Sequence, residues 1–520
     1  MRNRDGRQCR LPPPHSVKGV LIFDSRGADR TFAASVGFRG MFGGKRSKPF
    51  WATHRLLPSM PARSRNLGVA SELGRIVGAE NVITESSALE AFRKDMADFE
   101  ATPAVVARPS TEDQVARILR LAARRRVPVV ARGAGSSLTG AVVLEGAIIL
   151  DMQRFKRILK IDSVNWHVRV EAGVVLDDLN EALRKEGFFF PPDPASSFLC
   201  TVGGAIAESS GGMRCVRYGT MRDWVLALRV VLANGRTVTL GEPLAKNRVG
   251  YDLVHLMIGS EGTLGVVTEA HLKILPIPSS PNVRMLVTFD DWPSAGRAIQ
   301  ELRRQQIMAN LMEFMDRETV IAVNAAFQTD FEEAQATLLV DLDEPLVDLA
   351  EAIFRAHGAR RFSRAANEAE AERFYFVRSH AYLAVKELAS GVQIEDVTIP
   401  IDRLAEYLAL VKEVATRHSL RVPTLGHAGD GNVHPTILFD RADIASRAAA
   451  TAASQELCRY AIRVGGTITG EHGVGVQKAA LMREQMQAHG AGEALRLMKG
   501  IKQLFDPKSI LNPGKYVEAA

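Results

Sequence analysis

The sequence predicts an α+β protein with two folded regions, and three observations carry that prediction. Short apolar strands alternate with amphipathic helices from residue 68 to about Leu275, joined by glycine-rich turns. A stretch containing Pro276, Pro278 and Pro281 then interrupts the pattern. Beyond it, strands and helices are spaced as in an antiparallel sheet covered by helices on one face. At 520 residues the chain exceeds what one ordinary core supports, so several domains are expected.

In chain order, residues 68–100 read as two short helices, the second being Ser87–Phe99, and Val105–Ala107 as a strand. Ser110 is placed to cap a helix over Thr111–Arg125, with Glu112 and Asp113 favourable in its first turn. Strands follow at Val127–Ala131, Ile148–Asp151 and His167–Glu171, and a helix Val175–Glu186 ends at Gly187. Past the linker, strand Arg284–Phe289 precedes helix Trp292–Gln305; strands Glu313–Met315 and Ala336–Leu342 precede helix Leu346–His357.

Bulk properties exclude several classes. Hydrophobic residues are 46% and charged residues 24%, ordinary for a globular protein, and no apolar run reaches a membrane span. The net charge of +7 is concentrated: residues 1–65 hold fourteen Lys/Arg against three acids, a net +11 that leaves −4 elsewhere. Nucleic acid is therefore not an expected partner. The basic leader reads as a transit peptide, a tail, or residues upstream of a start at Met60. Cytoplasm is the expected location, peripheral to the inner membrane in one variant, or the mitochondrial matrix if the leader is a transit peptide. Cys9, Cys200, Cys215 and Cys458 form no CxxC pair, which argues against iron–sulfur, c-type haem and disulfide frameworks. Any redox electrons must then leave through a partner or a diffusible acceptor.

The first informative constellation is Arg132-Gly-Ala-Gly-Ser-Ser-Leu-Thr-Gly140, directly after a strand. Its glycines allow close backbone approach, and successive N–H groups with two hydroxyls suit a pyrophosphate. No amphipathic helix opens after it and no Lys-Ser/Thr follows, so it is neither a Rossmann nor a Walker loop; alone, it also reads as a tight turn. Pro191–Pro194, Thr201–Gly204, Ser209–Gly212 and Gly259–Gly265 add further turn-rich clusters, which suit an extended ligand.

The second constellation is His427-Ala-Gly-Asp-Gly-Asn-Val-His434, whose glycines forbid a helix. A tight turn into strand Val433–Phe439 brings both imidazoles to one point. Gly470-Glu-His-Gly473, after a strand Gly466–Thr469, lets Glu471 and His472 enter one site. Two His and a carboxylate suit Zn²⁺ or a similar divalent ion; separate turn residues are the plain alternative.

These segments together resemble the vanillyl-alcohol oxidase / para-cresol methylhydroxylase superfamily over residues 68–516. The resemblance points to its branch of glycolate oxidase catalytic subunits, cytochrome-linked D-lactate dehydrogenases and D-2-hydroxyglutarate dehydrogenases. It implies a two-subdomain FAD-binding domain over 66–278, a substrate and metal-binding domain over 279–505, and a segment 506–520 returning to the flavin. FAD, without a covalent bond, is implied at Arg132, Gly133, Ala134, Gly135, Ser136, Ser137 and Gly140. Further contacts fall on Pro192, Asp193, Thr201, Gly203, Gly204, Ser210, Gly211, Glu261, Gly262, Val267 and Asn512. His427, His434 and Glu471 match the metal ligands, His472 the base, and Arg378 the substrate's carboxylate anchor, with Lys478 a weaker candidate. The implied reaction is oxidation of a small D-2-hydroxy acid to a 2-keto acid, with electrons passed to a cytochrome, quinone or electron-transfer flavoprotein, and with a homodimer as an option. Ile394-Glu-Asp396 stands where the D-2-hydroxyglutarate enzymes carry Lys-Tyr-Asp, which favours D-lactate or glycolate. An alkylglycerone-phosphate-synthase-like transferase and a non-catalytic flavin subunit are the competing readings.

Overall fold

The computed structural model describes residues 62–97, 99–279 and 282–518; the expectations for residues 1–61 and for Pro281 lie outside them. The first sheet orders its strands Val82–Ile83, Val105–Ala107, Ile148–Asp151 and Val129–Arg132, the last three parallel. Parallel strands are buried on both faces. Val105, Ala107, Ile148 and Leu150 meet Ile118 and Leu119 of helix Glu112–Arg125 on one side, while Val106, Val130 and Ile149 pack with Leu89 on the other. That helix is capped by Thr111, not Ser110: the Thr111 hydroxyl accepts the Gln114 N–H at 3.3 Å, a contact that contributes about 1 kcal/mol.

The expected helix Ser87–Phe99 stops at Leu89 and passes through one 3₁₀ turn, Glu90–Phe92. Tertiary bonds override local propensity here, because residues 93–97 dock on the glycine loop. Met96 N–H donates to Ser137 O at 2.9 Å, and Arg132 Nη2 donates to Lys94 O at 2.8 Å. The C-terminal segment joins the same sheet: Val129 N–H donates to Ile510 O and Asn512 N–H to Val129 O, at 2.7 and 2.8 Å. Asn512 is thereby brought beside the strand that feeds the glycine loop.

A second, antiparallel sheet orders Ile158–Asp162, His167–Glu171, Val266–Lys273, Val225–Val231 and Thr237–Gly241, with helix Leu176–Lys185 in its core. Pro276 ends this region as part of a two-residue strand against Phe188–Phe189, so the linker starts later than its first proline.

The third sheet has eight strands. Its path runs Ala359–Arg364, Asn282–Phe289, Ala336–Asp343, Leu311–Asp316, Thr424–His427, Asn432–Phe439 and Gly391–Ile394, all antiparallel, with Val397–Thr398 paired to Asn432–Phe439. Helices cover both faces rather than one. Strand Leu311–Asp316 is apolar at both parities: Met312 and Phe314 face helices Trp292–Arg304 and Leu404–Arg417, while Met315 packs with Arg317–Phe327 and Ala381–Lys386. Each buried Phe, Met or Leu contributes roughly 1.5–3 kcal/mol, so neither face stays bare. Gly466–Thr469 is not a strand but two isolated bridges, Thr467 to Thr398 and Thr469 to Asp396. No helix among the described residues is long and apolar enough to cross a membrane.

Candidate active site

A cavity of about 440 Å³ opens between the two smaller sheets' loops and the second face of the large sheet. Of the expected cofactor residues, Arg132 to Ser137, Thr201, Gly203, Gly204, Ser210, Glu261, Gly262 and Val267 line it. Gly133 is required by contact: a Cβ there would lie 2.2 Å from Thr201 Oγ1. Gly135 holds φ at +75°, a left-handed conformation that glycine adopts without strain.

Gly140, Pro192, Asp193, Gly211 and Asn512 do not line the cavity. Gly140 packs under Phe99 and Val476, and Gly211 lies against Glu471 and Cys215. Asp193 instead pairs with Arg214, accepting its N–H at 3.0 Å. Asn512 Nδ2 donates to Ala141 O and Glu261 O, both at 2.8 Å. Arg132 Nη1, Glu208 Oε2 and Asn512 Oδ1 are buried without partners among the described residues. Buried polar atoms ordinarily have partners, so the two on the cavity wall, Arg132 Nη1 and Glu208 Oε2, fit a polar ligand there. Burial pushes Glu261 up to about 7, although its carboxylate accepts the Val474 and Gly475 N–H groups.

The histidines meet through strand register. Leu425 lies opposite His434, and His427 opposite both Asn432 and Glu313. Directly opposed residues and their neighbours two along share a sheet face, so Glu313, His427 and His434 point the same way. The His427 and His434 rings are 5.1 Å apart and nearly perpendicular; His472 stacks on His434 at 4.9 Å and 13°. Glu471 Oε1 is 3.1 Å from His427 Nε2, 3.5 Å from His434 Nε2 and 3.7 Å from His472 Nε2. Ligand atoms about 2.0–2.1 Å from a tetrahedral ion stand about 3.3 Å apart. The donor set therefore fits a divalent cation.

Outer contacts support the same orientation. His427 Nδ1 lies 2.7 and 2.8 Å from the Glu313 oxygens, and His434 Nδ1 lies 3.2 Å from Glu395 O, which leaves both Nε2 atoms turned to Glu471. Asp396, His434, Glu471 and His472 also bring ligand-type atoms within 4.8 Å of one another, a group that leaves out His427. The Asp396 Oδ2, however, is saturated by Thr469 Oγ1 and three main-chain N–H groups, of Gly470, Glu471 and His472. It therefore holds the turn that carries Glu471 and His472. Burial disfavours protonated His427, yet the Glu313 and Glu471 carboxylates outweigh it and raise its proton affinity well above ordinary. A metal bound at this point would replace that proton. Burial lowers His472 to about 4, opposed only in part by Asp396, so its imidazole is neutral near pH 7.

Arg378 lines the cavity from the last turn of helix Glu368–Ser379. Its Nη2 is 2.6 Å from Glu313 Oε2, while its Nε is buried without a partner among the described residues. Lys478 departs from expectation. It is 1% exposed and absent from the lining, and its ammonium donates to Ile468 O at 2.8 Å and stands 3.4 Å from Glu395. Gly473 and Gly475, both at positive φ, turn the chain so that Lys478 points behind the site. Sequence reasoning missed Glu313 and the clamping role of Asp396. For Glu313 the available signal was a carboxylate inside the apolar run Leu311-Met-Glu-Phe-Met315.

Comparison with known proteins settles the lineage. Residues 279–516 match the family described as FAD linked oxidases, C-terminal domain, and residues 103–241 match the FAD binding domain family. The glycolate oxidase subunit GlcD of Bacillus subtilis (strain 168) is 35% identical over 456 residues, 86% of this chain and 96% of that protein. The chain belongs to the FAD-linked oxidoreductase family. A D-lactate dehydrogenase of Archaeoglobus fulgidus is likewise 35% identical, covering 79% of this FAD-linked oxidoreductase and 91% of its own length. Among solved structures, p-cresol methylhydroxylase with substrate bound superposes with a TM-score of 0.73 over 88% of this chain and 97% of its own, at 18% identity. The FAD-linked oxidoreductase thus has the vanillyl-alcohol oxidase / para-cresol methylhydroxylase fold, as its glycine clusters predict.

Proposed function

We propose that this FAD-linked oxidoreductase dehydrogenates a small D-2-hydroxy acid, D-lactate or glycolate in preference, to the 2-keto acid. The observation that carries the reading is the convergence of His427, His434, Glu471 and His472, beside Arg378, on the cavity that the glycine loop lines. Relatives named glycolate oxidase subunit and D-lactate dehydrogenase support it. Residues Arg132–Ser137 and the Thr201–Gly204 turn would hold FAD without a covalent bond, within an FAD domain over 66–278. His427, His434 and Glu471 would hold the metal, zinc by preference, within a domain over 279–505, and segment 506–520 would support the flavin side. When bound, FAD supplies a two-electron acceptor and the metal supplies Lewis acidity.

The chain's own groups do the rest. Neutral His472 takes the substrate hydroxyl proton at Nε2. The unpartnered Arg378 Nε–H donates to the substrate carboxylate, a charge-assisted bond. Ile394, buried and lining the cavity, offers no cation for a second carboxylate, which disfavours 2-hydroxyglutarate. An external acceptor, a cytochrome, quinone or electron-transfer flavoprotein, would take up the two electrons. The test is anaerobic mixing of holoenzyme with D-lactate, glycolate, D-2-hydroxyglutarate and L-lactate, with Zn²⁺ or Mn²⁺ present. D-lactate or glycolate is expected to bleach the flavin fastest. No bleaching by any 2-hydroxy acid overturns the reading.

A further inference from the structure

Glu313 is fully buried at the middle of the large sheet, and its carboxylate touches an imidazole and a guanidinium delivered by separate parts of the chain. The neighbouring strand supplies His427, with Nδ1 at 2.7 and 2.8 Å from the two oxygens. Helix Glu368–Ser379 supplies Arg378, whose Nη2 lies 2.6 Å from Oε2. The carboxylate stands on the Nδ1 side of the His427 ring, away from the Nε2 that meets Glu471, so it cannot itself join the ligand set.

Two consequences follow from that geometry. An ionised carboxylate only accepts hydrogen bonds, so it fixes the proton of His427 on Nδ1 and presents the Nε2 lone pair to the ligand point. The same carboxylate neutralises the buried guanidinium of Arg378 and fixes its plane, leaving Nε–H as the free donor. The corresponding partner of His434 is a main-chain carbonyl, Glu395 O, which no substitution removes. Glu313 is therefore the side chain on which the orientation of a metal ligand and of the substrate's anchor jointly depend.

We propose that Glu313 is a positioning residue that binds His427 and Arg378 into one unit, so that losing its charge weakens metal binding and substrate binding together. The proposal rests on the dehydrogenase reading above, and its test separates the two. Full-length protein stripped of metal is titrated with Zn²⁺ against a chromophoric chelator, and KM and kcat for D-lactate or glycolate are measured on the Zn²⁺-loaded holoenzyme. Glu313→Gln is expected to weaken Zn²⁺ about 10–100-fold, the range seen when outer-shell partners of metal ligands are removed, and to raise KM several-fold. In a His427→Ala background the further effect of Glu313→Gln on Zn²⁺ affinity falls within about twofold. Should Glu313→Gln fail to fold, Glu313→Asp serves instead, with smaller losses of both affinities. A folded Glu313→Gln or Glu313→Asp protein with wild-type Zn²⁺ affinity and KM overturns this proposal alone. Wild-type protein that binds no divalent ion overturns the metal reading and this proposal with it.

Discussion

Asp396 is the residue whose loss tests the architecture of the site most directly. Its buried Oδ2 accepts from Thr469 Oγ1 at 2.6 Å and from the N–H groups of Gly470, Glu471 and His472 at 2.9, 3.0 and 2.8 Å. Its Oδ1 accepts from Asn432 Nδ2 at 2.8 Å. In Asp396→Asn the amide must choose. With its carbonyl toward the turn, its NH₂ meets the Asn432 NH₂, donor against donor; reversed, four donors lose their acceptor. A hydrogen bond to a charged group contributes about 1.5–3 kcal/mol and a neutral one about 1. Weakening four bonds to neutral strength therefore removes about 2–8 kcal/mol, and the clashing donor adds about 1–3 more. Urea unfolding should show a loss of about 3–11 kcal/mol, with the lower end expected if the turn relaxes around the amide. Flavin reduction by substrate should fall at least tenfold, because the same turn aims Glu471 and His472. Burial alone raises the Asp396 carboxyl, but His472, Lys478 and His434 outweigh it and hold it well below the ordinary carboxylate range. A depressed carboxylate contributes stability above its unfolded pKa that is lost as pH falls, so the wild type should lose part of its stability below about pH 4 and the variant should lack that component. A variant within about 1 kcal/mol of wild type, reduced at the same rate, would refute the clamp.

Three further predictions follow from separate observations. His472→Ala should keep its flavin content while reduction by substrate slows about 10²–10⁴-fold, the usual contribution of a general base; stopped-flow bleaching at the wild-type rate removes His472 from that role. Glu261, pushed by burial to about 7, contributes stability to flavin-free protein below its ordinary pKa that is lost as pH rises through 7. The melting temperature of flavin-free wild type should therefore fall between about pH 5 and 7 while that of Glu261→Gln stays flatter, and parallel profiles defeat this. Lys478→Met leaves the buried Glu395 carboxylate with only the neutral donors Gln393, Ser454 and Cys458 and should destabilise by about 3–5 kcal/mol in urea unfolding while KM changes less than twofold. A large KM increase at unchanged stability would return Lys478 to the substrate.

What the sequence made legible follows from how local each signal is. The strand before Arg132, the amphipathic helix after Thr111 and the glycine-flanked His and Glu residues all announce themselves within a few positions. Local turn chemistry decides them, and the structure brings the four site residues together as those glycines suggest. Glu313 stayed hidden because its partners lie 114 and 65 residues away and meet it only through sheet register and a helix on the face read as bare. The one-faced reading explains the omission: such a sheet leaves no reason for a carboxylate at an inward position, whereas a sheet covered on both faces requires that carboxylate to have polar partners. Lys478 fails for the opposite reason. Its nearness to His472 in sequence suggested nearness in the site, but the turn through Gly473 and Gly475 sends it to Glu395, on the far side of the ligands. Sequence distance is thus a poor guide at this centre, where strand register and two left-handed glycines decide which charges reach the cavity and which brace it from behind.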